Sequence, residues 1–392
     1  MGEMIDRLPT KGPRLPVLDA QRGLIMVLMA LDHASYFIAR VHSLEFWGTS
    51  LPVYPNAFWF WTRWVTHPCA PGFFFLMGIG MVLFAASRRE AGWQEGRITR
   101  FFIVRGLLLV LLQLLVEDPA WVVGYLSANP GAMITRTGGV PGGGTGGIVY
   151  LGVLFALGGT MVFWACVRRV SSQFICVISL AAIVTTQLVT PGSERIGALY
   201  TPLARSLIIP GHTNSWEVFY PVVPWLGVTG LGLLFGRLLK NDTHRAGRVA
   251  GPAGLACILL FVVVRAIGSV GNLNDVPSGW LGFLNVVKYP PSLVFLAITL
   301  GINLIAMTAW ERAEPYFQNP RNPLLVFGRV PLFFYLVHLW MYCLLGLFFA
   351  GGSGLAAMYC FWLVGLVLLY PLCYAFNRFK QRRPVDSIWR LF

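Results

Sequence analysis

The chain has 392 residues, 56% of them hydrophobic and 12% charged, with a formal net charge of +14 and a mean hydropathy of +0.66. An ordinary soluble domain is about 25% charged, so this composition excludes a soluble globular protein. The apolar runs are continuous, which excludes a β-barrel of short alternating strands and leaves an all-α, polytopic membrane helix bundle.

In chain order, the basic stretch Arg7 to Arg22 runs into an apolar helix with no small-residue cleavage pattern, so no cleavable signal is expected. Ten spans are expected, over 24–42, 69–87, 101–116, 147–167, 173–190, 218–236, 249–268, 292–310, 330–350 and 355–376. The stretch PAWVVGYLS at 119–127 is too short to cross alone; either it re-enters, giving an eleventh element, or the short 101–116 span extends toward Trp121. The Gly-rich run at 138–147 lacks the ending of a phosphate loop and reads as a flexible linker. The whole chain reads as one transmembrane domain, with a basic N-terminus over 1–22 and a basic tail over 377–392.

Lys and Arg concentrate at alternate span ends, including both chain termini, which places the termini in the cytoplasm. Their placement in short loops argues against a nucleic-acid partner. The outer loops 43–68, 117–146, 191–217 and 269–291 are longer and rich in Trp, Tyr, Pro, Gly and Asn. WFWTRW at 59–64 reads as an interfacial aromatic belt with an amphipathic turn. The seven cysteines lie in or beside apolar runs without CxxC spacing and read as small core residues.

The first helix, LDAQRGLIMVLMALDHASYFIA, carries the strongest chemical signal. Titratable groups are expensive in hydrocarbon and face a protein interior or a wet cavity. From Arg22 to His33 the helix turns to within about 20° of the starting face and rises roughly 16 Å. His33 is a candidate general base or covalent nucleophile; the competing reading is a buried pair that locks helices together. Asp32 does not face its neighbour His33 and is expected to pair with another helix. Arg22 suits a phosphate-bearing ligand near a helix N-terminus, with Asp19 as the cap.

His67 opens the second span in THPCAPGFFFLMGIGM, where Gly72, Gly78 and Gly80 allow close helix packing. His338 lies within FGRVPLFFYLVHLWMY and shares a face with Tyr335, but is about 180° from Arg329 on a regular helix. KYPPS at 288–292 is an outer turn in which Lys288 and Tyr289 line a vestibule. His42, His212 and His244 read as loop residues. No HxxxH or HExxH motif is present, so no metal is expected.

LDAQRGLIMVLMALDH, THPCAPGFFFLMGIGM, KYPPS and FGRVPLFFYLVHL resemble the bacterial relatives of the heparan-α-glucosaminide N-acetyltransferase catalytic domain, within the wider transmembrane acyltransferase superfamily. The Arg-to-His spacing of the first span is similar to that of the acyltransferase-3 membrane enzymes. The resemblance implies transfer of an acyl group, acetyl above all, from cytoplasmic acyl-CoA to a sugar or small amine reached from the outer face. A bacterial inner-membrane location and contact with membrane lipids go with it. Carried over by position, Arg22 and Arg329 lie near the mouth for the donor, and Asp32, His33, His67 and His338 line the reaction cavity. One departure stands out: the lysosomal enzymes have Asn at the His33 position, a His in the first outer loop and an Asp opening the second span. Here Ala57 and His67 fall at those last two places, so His33 or His67 must substitute. Two alternatives stay open: a proton-coupled transporter or flippase that uses the buried Asp and His as a relay, and a structural membrane scaffold; a homo-oligomer of the chain is compatible with each.

Overall fold

A computed structural model describes residues 15–128, 149–191, 201–212, 216–384 and 387–392. The chain is an all-α bundle of membrane-spanning helices. Eight helices among the described residues are long and apolar enough to cross a membrane, and a bent pair makes a ninth. The ten expected spans map onto these nine and a 15-residue apolar helix, Val153–Val167. That helix covers only about 22 Å at 1.5 Å per residue, short of the hydrocarbon core.

Helix α1 (Pro16–Ala34) continues as a π-turn over Ser35–Ala39, so the first span starts earlier than expected. It ends at Arg40, whose φ of 57° is left-handed. Four hydrogen bonds hold that unfavourable conformation: Nε to Phe349 O at 3.1 Å, and Nη1 to Gly124 O, Nη2 to Ser127 Oγ and Nη2 to Gly346 O at 2.8 Å each.

A short helix, α2 (Ala57–Trp64), capped by Asn56, precedes α3 (Cys69–Glu90). Helix α4 (Glu95–Leu112) runs through a π-turn over Gln113–Glu117 directly into α5 (Asp118–Ala128). Residues 119–127 therefore extend the third span and do not re-enter. The π-turn turns both Gln113 and Glu117 inward, where they are fully buried.

The linker assigned to 138–147 lies outside the described residues. Residues 149–151 are not helical, as expected from the 147–167 span, but form β1 (Val149–Leu151) ahead of α6 (Val153–Val167). After α7 (Ser172–Val189) and α8 (Pro202–Leu207), β2 (Gly211–His212) and β3 (Trp216–Val218) complete a three-stranded sheet in the order β1-β3-β2. Val149 pairs with Trp216 in the parallel arm.

The remaining elements are α9 (Val222–Asn241), α10 (Thr243–Ile267), α11 (Gly279–Leu284), α12 (Leu293–Arg312), α13 (Pro323–Arg329), α14 (Pro331–Gly346) and α15 (Leu355–Gln381). His244 thus belongs to α10 and is not a loop residue, and α15 takes in residues 377–381 of the expected tail. The α13–α14 pair bends by 102° at Val330, because Pro331 has no N–H to continue the ladder.

Helices α1, α9 and α12 are buried along most of their length, while α10 and α15 expose Leu255, Leu259, Val263, Leu363 and Val367 to the lipid side. Packing between apolar helices in lipid depends on close backbone approach at small residues. A methyl group on Gly78 of α3 would collide with the Thr229 carbonyl of α9, and one on Gly232 would collide with the Phe75 carbonyl in return. All seven cysteines are free; Cys166 and Cys360 are exposed and do not join the core.

Gly78→Ala is expected to destabilise the detergent-purified protein by about 1–3 kcal/mol through overpacking. Gly96→Ala, where the added methyl meets no atom, is expected to leave the melting temperature unchanged.

Candidate active site

Two clusters of side chains meet inside the bundle. The first is a polar network at the end of α1 that carries His33. Asp32 does pair with another element, as the helix geometry requires: its Oδ1 accepts from Arg63 Nη1 of α2 at 2.5 Å and from Thr66 Oγ1 at 3.1 Å. Arg63 also donates to Glu45, through Nε at 3.0 Å and Nη2 at 2.7 Å. One guanidinium therefore joins α1, the 40–56 loop and α2. Glu45 is fully buried and Arg63 nearly so. Burial alone would raise the Glu45 carboxyl, but Arg63 and His67 outweigh it and hold it well below the usual carboxylate range.

His67 Nε2 lies 3.5 Å from Glu45 Oε2. It does not touch His33 and joins the network only through Glu45 and Arg63. His42 stays in its loop, as expected, yet it faces the same network; burial and Arg63 push it down to about 4. Of His212, only its place in β2 is described.

His33 and His338 come together from opposite ends of the sequence. Their rings stack with centroids 4.9 Å apart, and His33 Nδ1 lies 2.7 Å from His338 Nε2. The second nitrogen of His338 settles the tautomers. His338 Nδ1 lies 2.9 Å from the Phe334 carbonyl, which can only accept, so Nδ1 carries the proton and Nε2 is an acceptor. His33 Nδ1 must then be the donor, which leaves the lone pair of His33 on Nε2. Trp121 packs edge-on against His33 at 5.1 Å, and Tyr335 lies 6.4 Å from it and 5.6 Å from His338. Tyr335 and His338 do share a face of α14.

The second cluster is a cavity of about 690 Å³. Arg22, Arg329, Lys240 and Lys380 stand at its end nearest the start of α1, and Arg105 projects into it from α4. Met26, Met77, Leu109, Leu154 and Met161 form its apolar wall, and Tyr335 is part of the lining. Tyr335 is therefore the shared wall between the cavity and the histidine pair.

Asp19 does not cap α1; Leu15 takes that place without a side-chain bond. Asp19 instead pairs with Arg22 at 3.1 Å and lies 3.6 Å from Arg329 Nε. This explains how Arg22 and Arg329 meet. The bend at Val330 swings α13 against α1, so the 180° separation of Arg329 and His338 on a regular helix does not apply. The Arg105 Nε is buried without a hydrogen-bond partner. Arg105 and Arg63 are the residues that sequence reasoning left without a role. An arginine within a span was a sufficient signal for the first; the second was absorbed into the aromatic belt. Among the described residues, no group of three or more His, Cys, Asp or Glu side chains could hold a metal ion.

The bundle is that of an integral membrane protein, with a buried, orientated histidine pair behind Tyr335 from a cation-rimmed cavity. The family described as heparan-alpha-glucosaminide N-acetyltransferase, catalytic, matches residues 14–266, and the chain belongs to that family. No curated protein matches the chain.

Replacing Arg63 by Met would take the shared guanidinium from two buried carboxylates and is expected to cost about 3–5 kcal/mol of stability, read as a lower melting temperature. His42 gives a pH signature. The unfolded chain takes up its proton below about 6.5 and the folded one only below about 4, so stability is expected to fall as pH drops through that window. His42→Asn should flatten this part of the melting-temperature profile and leave it unaltered above pH 7.

Proposed function

We propose that this protein transfers an acyl group, most simply acetyl, from acyl-CoA held in the cation-rimmed cavity to an acceptor that reaches His33 from the outer side. The observation that carries the reading is the position of Tyr335: it lines the cavity and packs against both histidines. Extended acyl-CoA has phosphates at one end and a thioester at the other. Arg22, Arg105 and Arg329, with Lys240 and Lys380, suit the phosphates; the apolar wall suits the pantetheine arm. The positive-inside pattern supports a cytoplasmic position for this end of the bundle.

In the reaction, His33 Nε2 takes a proton from the acceptor amine or hydroxyl while that nitrogen or oxygen attacks the thioester carbon. The new N–C or O–C bond forms and the C–S bond breaks. The imidazolium then returns its proton to the departing CoA thiolate. His338 accepts from His33 Nδ1 throughout, fixing the ring and stabilising its charged form. Asp32, on the same helix, supplies a negative charge beside it. His67 supports the network through Glu45.

Calorimetry with acetyl-CoA tests the donor half without knowledge of the acceptor. Arg105→Ala and Arg22→Ala are each expected to weaken binding about tenfold, the loss of roughly 1.4 kcal/mol. His33→Ala is expected to keep donor binding and lose transfer by about 10²–10⁴-fold. Full transfer by His33→Ala would remove it from the catalytic role, and a well-folded protein that binds no acyl-CoA would favour a proton-coupled transporter.

A further inference from the structure

The polar network contains two charged groups with unused bonding capacity, and they have opposite signs. Lys288 is only 4% exposed, and among the described residues its ammonium makes no ion pair or hydrogen bond; its contact is with the face of the Tyr289 ring, 5.2 Å away. The Lys288 backbone N–H is fixed by the Glu45 carbonyl at 2.9 Å, so the side chain starts from a defined place beside the network. It lies within electrostatic reach of Asp32, His33, His42 and His67.

Asp32 is the second group. Both of its hydrogen bonds fall on Oδ1, and Oδ2 accepts none among the described residues. Nearby, His42 Nδ1 and His67 Nδ1 are buried without partners. A buried ammonium without a bond is expensive. Two carboxylates share one guanidinium, and neither bonds the Lys288 ammonium among the described residues.

We infer that the acceptor is a zwitterion: a primary amine that settles on Asp32 Oδ2 beside His33, joined to a carboxylate or phosphate held by Lys288. Such a ligand uses both free groups and leaves the charge balance of the network unchanged, which a purely anionic or purely cationic acceptor does not. The amine enters as ammonium, releases one proton to water on the outer side to reach the nucleophilic state, and gives a second to His33 as it attacks. This inference rests on the acyltransferase reading of the site.

Protection against thermal unfolding of the detergent-purified full chain tests it with sugars on one scaffold: glucosamine, glucose 6-phosphate and glucosamine 6-phosphate, with 2-amino-2-deoxyglucuronate in place of the last to separate carboxylate from phosphate. The zwitterionic sugars are expected to protect at concentrations at least tenfold below either singly charged one. Lys288→Met should bring glucosamine 6-phosphate to the level of glucosamine, Asp32→Asn to the level of glucose 6-phosphate, and Lys288→Arg should retain most of the preference. No protection by any of these sugars, or no advantage of the zwitterions over the better single-charge sugar, overturns the inference, as does a preference that survives Lys288→Met. Acetyl-CoA binding in the same samples separates the two ideas. Retained donor binding with no zwitterion preference defeats this inference alone; loss of donor binding in the wild-type chain defeats the acyltransferase reading.

Discussion

The site depends on one guanidinium. Arg63 bonds Asp32 on α1 and Glu45 on the following loop, and so gives both carboxylates a shared cation. This arrangement fixes the end of α1 against α2 and so sets the position of His33. It also leaves Asp32 with one free oxygen. The bonding that stabilises the network and the bonding that serves a ligand thus fall on different atoms of the same carboxylate.

The bend at Val330 does comparable work at the other end. A straight helix through 323–346 would carry Arg329 away from α1. Broken by Pro331, the chain brings Arg329 to Asp19 while α14 still delivers His338 to His33. Two parts of one sequence motif therefore reach two places, the cationic end of the cavity and the histidine pair. Glycines at the α3–α9 crossing let the two inner helices approach to backbone contact.

Much of this was legible in the sequence. Apolar runs give the bundle, and Asp32, His33 and His338 are conspicuous because hydrocarbon penalises them. Helix geometry correctly denied a direct Asp32–His33 contact. Other features depend on long-range pairing that a local pattern does not carry. Arg63 read as part of an aromatic belt because its carboxylate partners lie 31 and 18 residues away. The π-turn at Gln113–Glu117 has no sequence signature of the kind that marks a cap, so the sequence left open whether 119–127 re-enters or extends the third span, and the structure shows the extension. The β1–β3 pairing joins segments on either side of three helices. His67 resembled His33 in its setting, and only the fold separates a residue that lies against Glu45 from one that stacks on His338.

The most direct measurement is an experimental structure of the protein in lipid nanodiscs with acetyl-CoA bound. The account predicts phosphate density among Arg22, Arg105 and Arg329, the pantetheine arm along Met26 and Leu154, and the thioester beside Tyr335 within reach of His33 Nε2. Acetyl-CoA bound elsewhere, or lying in the cavity with its thioester turned away from the histidine pair, would contradict it.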